Sequence, residues 1–204
     1  MIYTIKKGKN DNGFNIPDIF TGKFKKTWKV SLSPECWYPQ ELGYNQINKL
    51  VGVTEFWSAN NKNSVMVGWD PCYLPEEEIL EKYPHCKNLG NLTADVKYFN
   101  IYSYVNNEKG DHFMQLSTIV ADWRVNDIDY LIERTENKSN LKHELKVIQF
   151  DPGTKETGPK ITSDYPVHHI ETYFTKYLKG WLREIFIWFG GTRKAPWDML
   201  FKVN

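Results

Sequence analysis

The stretch from Glu184 to the end places the tightest limit on how this chain can fold. Glu184-Ile185-Phe186-Ile187-Trp188-Phe189-Gly190-Gly191 is apolar on both alternating faces, which suits a strand buried on both sides. Beyond Thr192-Arg193-Lys194-Ala195-Pro196 the pattern changes. Trp197, Met199, Phe201 and Val203 share one face, and Asp198, Leu200 and Lys202 share the other. The reading is a strand, a glycine-marked turn and a closing strand with one wet face, a core hairpin that keeps the chain folded to its end.

The rest of the chain agrees with β-structure. Residues 1–22 read as a loosely held arm or edge strand, with Ile2 to Ile5 as the strand. Phe24, Lys26, Trp28, Val30 and Leu32 alternate with Lys25, Thr27, Lys29 and Ser31, and only Lys26 breaks the pattern. Ile47 to Trp57 and Val65 to Trp69, joined by Asn60-Asn61-Lys62-Asn63, form a hairpin by the usual signals. Pro75 to Tyr83 predicts a short helix, with proline at its start and three glutamates in its first turn. Four more strands follow, over 96–105, 112–120, 128–132 and 141–150, with polar turns between them. Residues 151–166 read as a long loop. The run from His168 to Arg183 fits helical and strand spacing alike, and its aromatic and branched residues favour the strand.

Composition excludes several classes. The 204 residues carry 26 basic and 25 acidic side chains, a net charge of +1, so nothing draws the chain electrostatically to nucleic acid or an anionic membrane. No apolar run approaches the length that spans a bilayer, and lysine interrupts the N-terminus at once. A cytoplasmic protein is expected. Cys36, Cys72 and Cys86 are an odd number at wide spacing, which suits free thiols better than disulfides or zinc. Without a secretory signal, Asn91-Leu92-Thr93 and Asn137-Lys138-Ser139 are chance matches to the glycosylation pattern.

The chemical motifs are mostly missing: no phosphate loop, no His-Glu-x-x-His, no Gly-x-Ser-x-Gly, no Cys-x-x-Cys. No catalytic residue, metal site or cofactor is assigned. His168 and His169 come nearest to a metal pair, but neighbours on a strand face opposite sides, so both reach one ion only from a loop. His143 shares the apolar parity of Leu141, Leu145 and Val147 and reads as a hydrogen-bonded core histidine. Asp122, Asp127, Asp129, Glu133 and Glu144 offer many carboxylate pairs, and spacing selects none.

The aromatic surplus is the most suggestive feature. Eight Trp, twelve Tyr and eleven Phe supply large rings that fill a core, or stack on sugars and partner proteins. The candidate ligand-binding residues are Trp57, Asn61, Asn63, Trp69, Tyr98, Tyr102, Tyr104 and Trp123. The expected fold is all-β, one antiparallel two-sheet sandwich of jelly-roll type with nine or ten strands, and a barrel is the alternative. The expected function is a non-catalytic binding or assembly module for a protein partner or a carbohydrate, with self-association left open. A glycan-directed hydrolase using carboxylates or the His168-His169 region is the alternative.

Overall fold

The computed structural model describes residues 1–13, 16–42, 47–58, 62–86, 95–134, 140–149, 167–170, 176–178, 180–185, 187–189 and 193–204. Among these residues there are thirteen strands. The first seven are β1 (Ile2–Ile5), β2 (Ile19–Phe20), β3 (Phe24–Leu32), β4 (Asn48–Glu55), β5 (Ser64–Pro71), β6 (Tyr98–Asn106) and β7 (His112–Ala121). The other six are β8 (Asn126–Arg134), β9 (Asn140–Gln149), β10 (Val167–Ile170), β11 (Lys176–Tyr177), β12 (Leu182–Ile185) and β13 (Met199–Val203). One helix, α1 (Glu76–Lys82), lies between β5 and β6 where the Pro75 signal predicts it.

All pairings are antiparallel. One sheet runs β1-β13-β3-β8-β9-β10, with β11 also on β9, and the other runs β2-β12-β4-β5-β6-β7. Successive strands change sheet at both ends of the chain: β1 and β3 lie in the first sheet, β2 and β4 in the second, β12 in the second and β13 in the first. Four strands, β1-β13-β3-β8, thus form one sheet of a kernel and β2-β12-β4-β5 the other, which is the double Greek key of a jelly roll. The remaining strands lengthen each sheet at one edge. The sandwich expected from the sequence is what forms, with thirteen strands among the described residues instead of nine or ten.

The expected C-terminal hairpin does not form. β12 pairs with β2 and β4, whereas β13 pairs with β1 and β3, so the chain crosses from one sheet to the other between them. The alternation itself holds, since Met199, Phe201 and Val203 are buried and Leu200 and Lys202 less so. The N-terminal segment is held rather than loose: Ile2 to Ile5 pair with Lys202 to Met199, and Ile5 is buried. Within the ambiguous run His168 to Arg183, residues 168–170, 176–177 and 182–183 are strand and no described residue is helical, while the loop at 151–166 lies outside the described residues.

Between the sheets the inward positions form one apolar cluster. Trp28, Val30 and Leu32 of β3 and Phe201 of β13 meet Val65, Val67 and Trp69 of β5 and Phe99 of β6. Trp69 packs edge-on against Phe99 and Phe201, both at 5.7 Å, so a single side chain joins the two layers. β4 is irregular between Lys49 and Gly52. A Cβ at Gly52 would lie 2.3 Å from the Val65 carbonyl oxygen, so glycine is what lets β4 and β5 approach there.

Lys26, the one break in the β3 pattern, answers buried acid. Glu184 of β12 accepts from the Trp28 indole across the sandwich, and Lys26 Nζ stands 3.8 Å from its Oε1 and 2.7 Å from Asp18 Oδ2. Burial alone would lower the Lys26 ammonium. The Asp18 hydrogen bond and the nearby charges of Glu184 and Asp18 outweigh it and raise it.

Candidate functional site

Where β4 ends at Glu55, the chain turns through Phe56, Trp57 and Ser58 and returns into β5 by way of Asn63. Asn63 has φ +50°, a left-handed conformation that asparagine tolerates better than most residues. Its carbonyl accepts from Glu55 N at 3.2 Å, and its own N–H donates to Asn107 O at 2.9 Å in the β6–β7 turn. Phe56 N–H donates to Trp181 O at 2.9 Å, which fixes the residue before β12 beside this turn. Arg183 Nη2 donates to Ser58 O at 3.2 Å, and Arg134 Nη1 to Gly180 O at 3.0 Å. Main-chain bonds thus bind three separate segments into one rim.

The rim encloses a cleft of about 640 Å³. Trp57 is 88% exposed and Trp181 57% exposed, and both present a ring to it. Half-buried Phe56 stands between them, 4.9 Å from Trp57 at 83° and 6.2 Å from Trp181 at 73°. Glu55, Lys62 and Glu108 add charged residues to the lining. Apolar rings with a few polar groups around them are the usual make-up of a ligand pocket, and the volume is within the usual range.

The residues expected to form one ligand face are scattered. Trp57 and Asn63 reach the cleft, while Asn61 lies outside the described residues. Trp69 is fully buried between the sheets and presents nothing to solvent. Tyr98 lies beneath α1 and donates to Glu76 Oε1 at 2.9 Å. Tyr102 and Tyr104 occupy the outer face of the second sheet, where Tyr104 stacks on His112 at 5.7 Å. Half-buried Trp123 sits under the Lys202 ammonium, 4.8 Å from its ring centre. The alternation on β6 is right; it does not bring these rings together. Trp181 was missed because its partner Phe56 is far away in sequence, and no local signal links them.

A second polar group lies on the outer face. Asp70 accepts from Asn100 Nδ2 at 2.8 Å and from the Tyr102 hydroxyl at 3.3 Å. Burial pushes the Asp70 carboxyl up against the opposing pull of those two hydrogen bonds. Burial, then the Asp70 charge, raises the Tyr102 phenol.

The histidine and cysteine candidates are not among the residues that line the cleft. His168 and His169 lie in β10, paired with Val147 and Lys146, and not in the loop that joint ligation requires. Among the described residues no group of three or more His, Cys, Asp or Glu is placed to hold a metal ion. All three cysteines are free and buried, and burial raises each thiol, which suppresses the thiolate. His143 is buried, with Tyr130 Oη 2.9 Å from its Nδ1, a hydrogen-bonded core histidine as read from its parity. Among the described residues no helix is long and apolar enough to cross a membrane. Comparison with protein-family models, curated proteins and solved structures finds no match for this chain.

Proposed function

We propose that this protein is a non-catalytic carbohydrate-binding module whose site is the cleft between Trp57 and Trp181. The observation that carries the reading is the pair of exposed indoles on either side of Phe56. An exposed tryptophan leaves a large apolar face in water, and a sugar ring offers an apolar C–H face of similar size. Sugar hydroxyls both donate and accept, and the lining includes Glu55 and Glu108, whose carboxylates accept, and Lys62, whose ammonium donates. Stacking would provide affinity, and the polar rim would choose among sugars.

Isothermal titration against a panel of neutral oligosaccharides tests this. Saturable binding is expected for at least one sugar, with a loss of tenfold or more in Trp57→Ala and Trp181→Ala. Neither ring is buried, so both variants should keep the wild-type melting curve. Silence across the panel, or binding untouched by both substitutions, overturns the reading and turns the search to protein partners. Cleavage of a bound sugar that stops in Glu108→Gln would make the protein a hydrolase, since most glycosidases work with a pair of carboxylates and Glu55 also lines the cleft.

A further inference from the structure

β7 is the last strand of the second sheet, and its free edge is treated in two ways along its length. From Thr118 onward, side chains from elsewhere occupy that edge. His85 Nε2 donates to Ile119 O at 2.8 Å, and the Cys86 thiol donates to the same carbonyl at 3.0 Å. Ala121 N–H donates to Asn126 Oδ1 at 2.8 Å, and Asn126 Nδ2 in turn donates to His85 O at 3.2 Å. These three residues substitute for the neighbouring strand that β7 lacks.

Among the described residues the edge from His112 to Ser117 is open. No described strand pairs with it, and the Ser117 hydroxyl, 3.0 Å from Ser103 Oγ, turns toward β6 instead. Phe113, Met114 and Leu116 are 61%, 45% and 43% exposed. Sheet edges are usually protected by lysine, proline or inward charge. The whole of β7, His-Phe-Met-Gln-Leu-Ser-Thr-Ile-Val-Ala, has no proline and no acidic, lysine or arginine side chain.

We propose that residues 113–117 pair antiparallel with the same residues of a second copy, joining two six-stranded sheets about a two-fold axis. Self-pairing suits this segment for two reasons. With no acidic, lysine or arginine side chain in the strand, antiparallel pairing sets no such like charges opposite one another. With Gln115 on the axis, Met114 falls opposite the second copy's Leu116, and Leu116 opposite its Met114. The exposed apolar residues of one face thus cover each other, and the isologous contact closes at two. A ladder this short buries less than the roughly 1,200 Å² of a stable interface, so the dimer is reversible and depends on concentration. The cleft lies beside the β6–β7 turn, so the pairing sets the two clefts at opposite ends of the shared ladder. The dimer does not depend on what the cleft binds.

Sedimentation velocity over a concentration series tests the pairing. The wild type should pass from monomer to dimer, and Leu116→Lys and Met114→Lys should each stay monomeric across the series. Both positions are exposed, so their melting curves should match the wild type, and Trp57→Ala should still dimerise. Hydrogen exchange supplies an independent readout: amides within 113–117 should gain protection as wild-type concentration rises. A wild type that is monomeric at every concentration overturns the proposal. So does a dimer that survives both lysine substitutions, or one whose added protection lies outside β7.

Discussion

Tyr98 and Tyr102 stand on the same face of β6, and each gives its hydroxyl to a carboxylate. Tyr98 donates to Glu76 in α1, and Tyr102 to Asp70 in the neighbouring β5. Around Tyr98 the chain between β5 and β6 folds back over the sheet. Ile79 of α1, with Cys72 and Cys86, packs on Ile119, Ala121 and Val125 as a small second core. Around Tyr102 no described helix folds back: Ile47 packs on Met66, Tyr104 and Ile185 as a smaller cluster, and Met114 and Leu116 stay exposed. Among the described residues one end of the outer face is roofed by a helix and the other leaves β7 uncovered, and the aromatic cleft and the open β7 edge both belong to that end. A ring on a sheet face is therefore neither core nor site by its position alone. What the next connection does with it decides.

The sharpest way to break this comparison is to truncate an aliphatic side chain on each half. Ile79→Ala should cost about 2–5 kcal/mol, because it opens a cavity under the roof. Leu116→Ala should stay within roughly 0.5 kcal/mol, as surface changes do. Urea denaturation of the two variants reads the difference, and equal losses would mean that the β7 half is covered too.

Acid provides a control that touches neither half directly. Burial holds the His143 imidazole down at about 4, against an ordinary value near 6.5. Between those values an unfolded chain takes up a proton that the folded chain refuses, so stability present above pH 6.5 is lost as pH falls toward 4. The loss is about 3 kcal/mol in all. Asp127 and Asp129, raised by burial, act in the opposite sense. His143→Gln, which does not titrate, should flatten this part of a melting-temperature profile. An unchanged profile would show that another group governs it.

The smallest effect compares the two tyrosines themselves. Tyr98→Phe should cost about 1–2 kcal/mol, because its hydroxyl ties α1 to the sheet through a charged acceptor. Tyr102→Phe should cost less, since it removes a donor from Asp70 but leaves Asn100 in place. Thermal melts of the pair, with hydrogen exchange across α1, would reveal whether Tyr98 alone anchors the roof.

Much of the fold is legible because its signals are local. Alternation marks β3, β6 and β13, and short polar turns announce the β4–β5, β6–β7 and β8–β9 pairs, each of which forms. Pro75 with its glutamates marks α1. The site is legible only in part. Trp57 and Asn63 lie in the turn that the asparagine-rich run announces, but Trp69 follows the same strand signals and ends in the core. Parity reports that two residues share a face. It does not report whether that face meets the other sheet, a helix or water.

By itself, the sequence determined the β class, the strand periods, the turns and the helix, since each follows from the preferences of neighbouring residues. Tertiary structure alone decided that β12 and β13 part into different sheets, that Trp181 joins Trp57, and that half of one sheet face is roofed. Those outcomes depend on contacts between residues far apart in the chain, where the burial gained over the whole core outweighs any local preference.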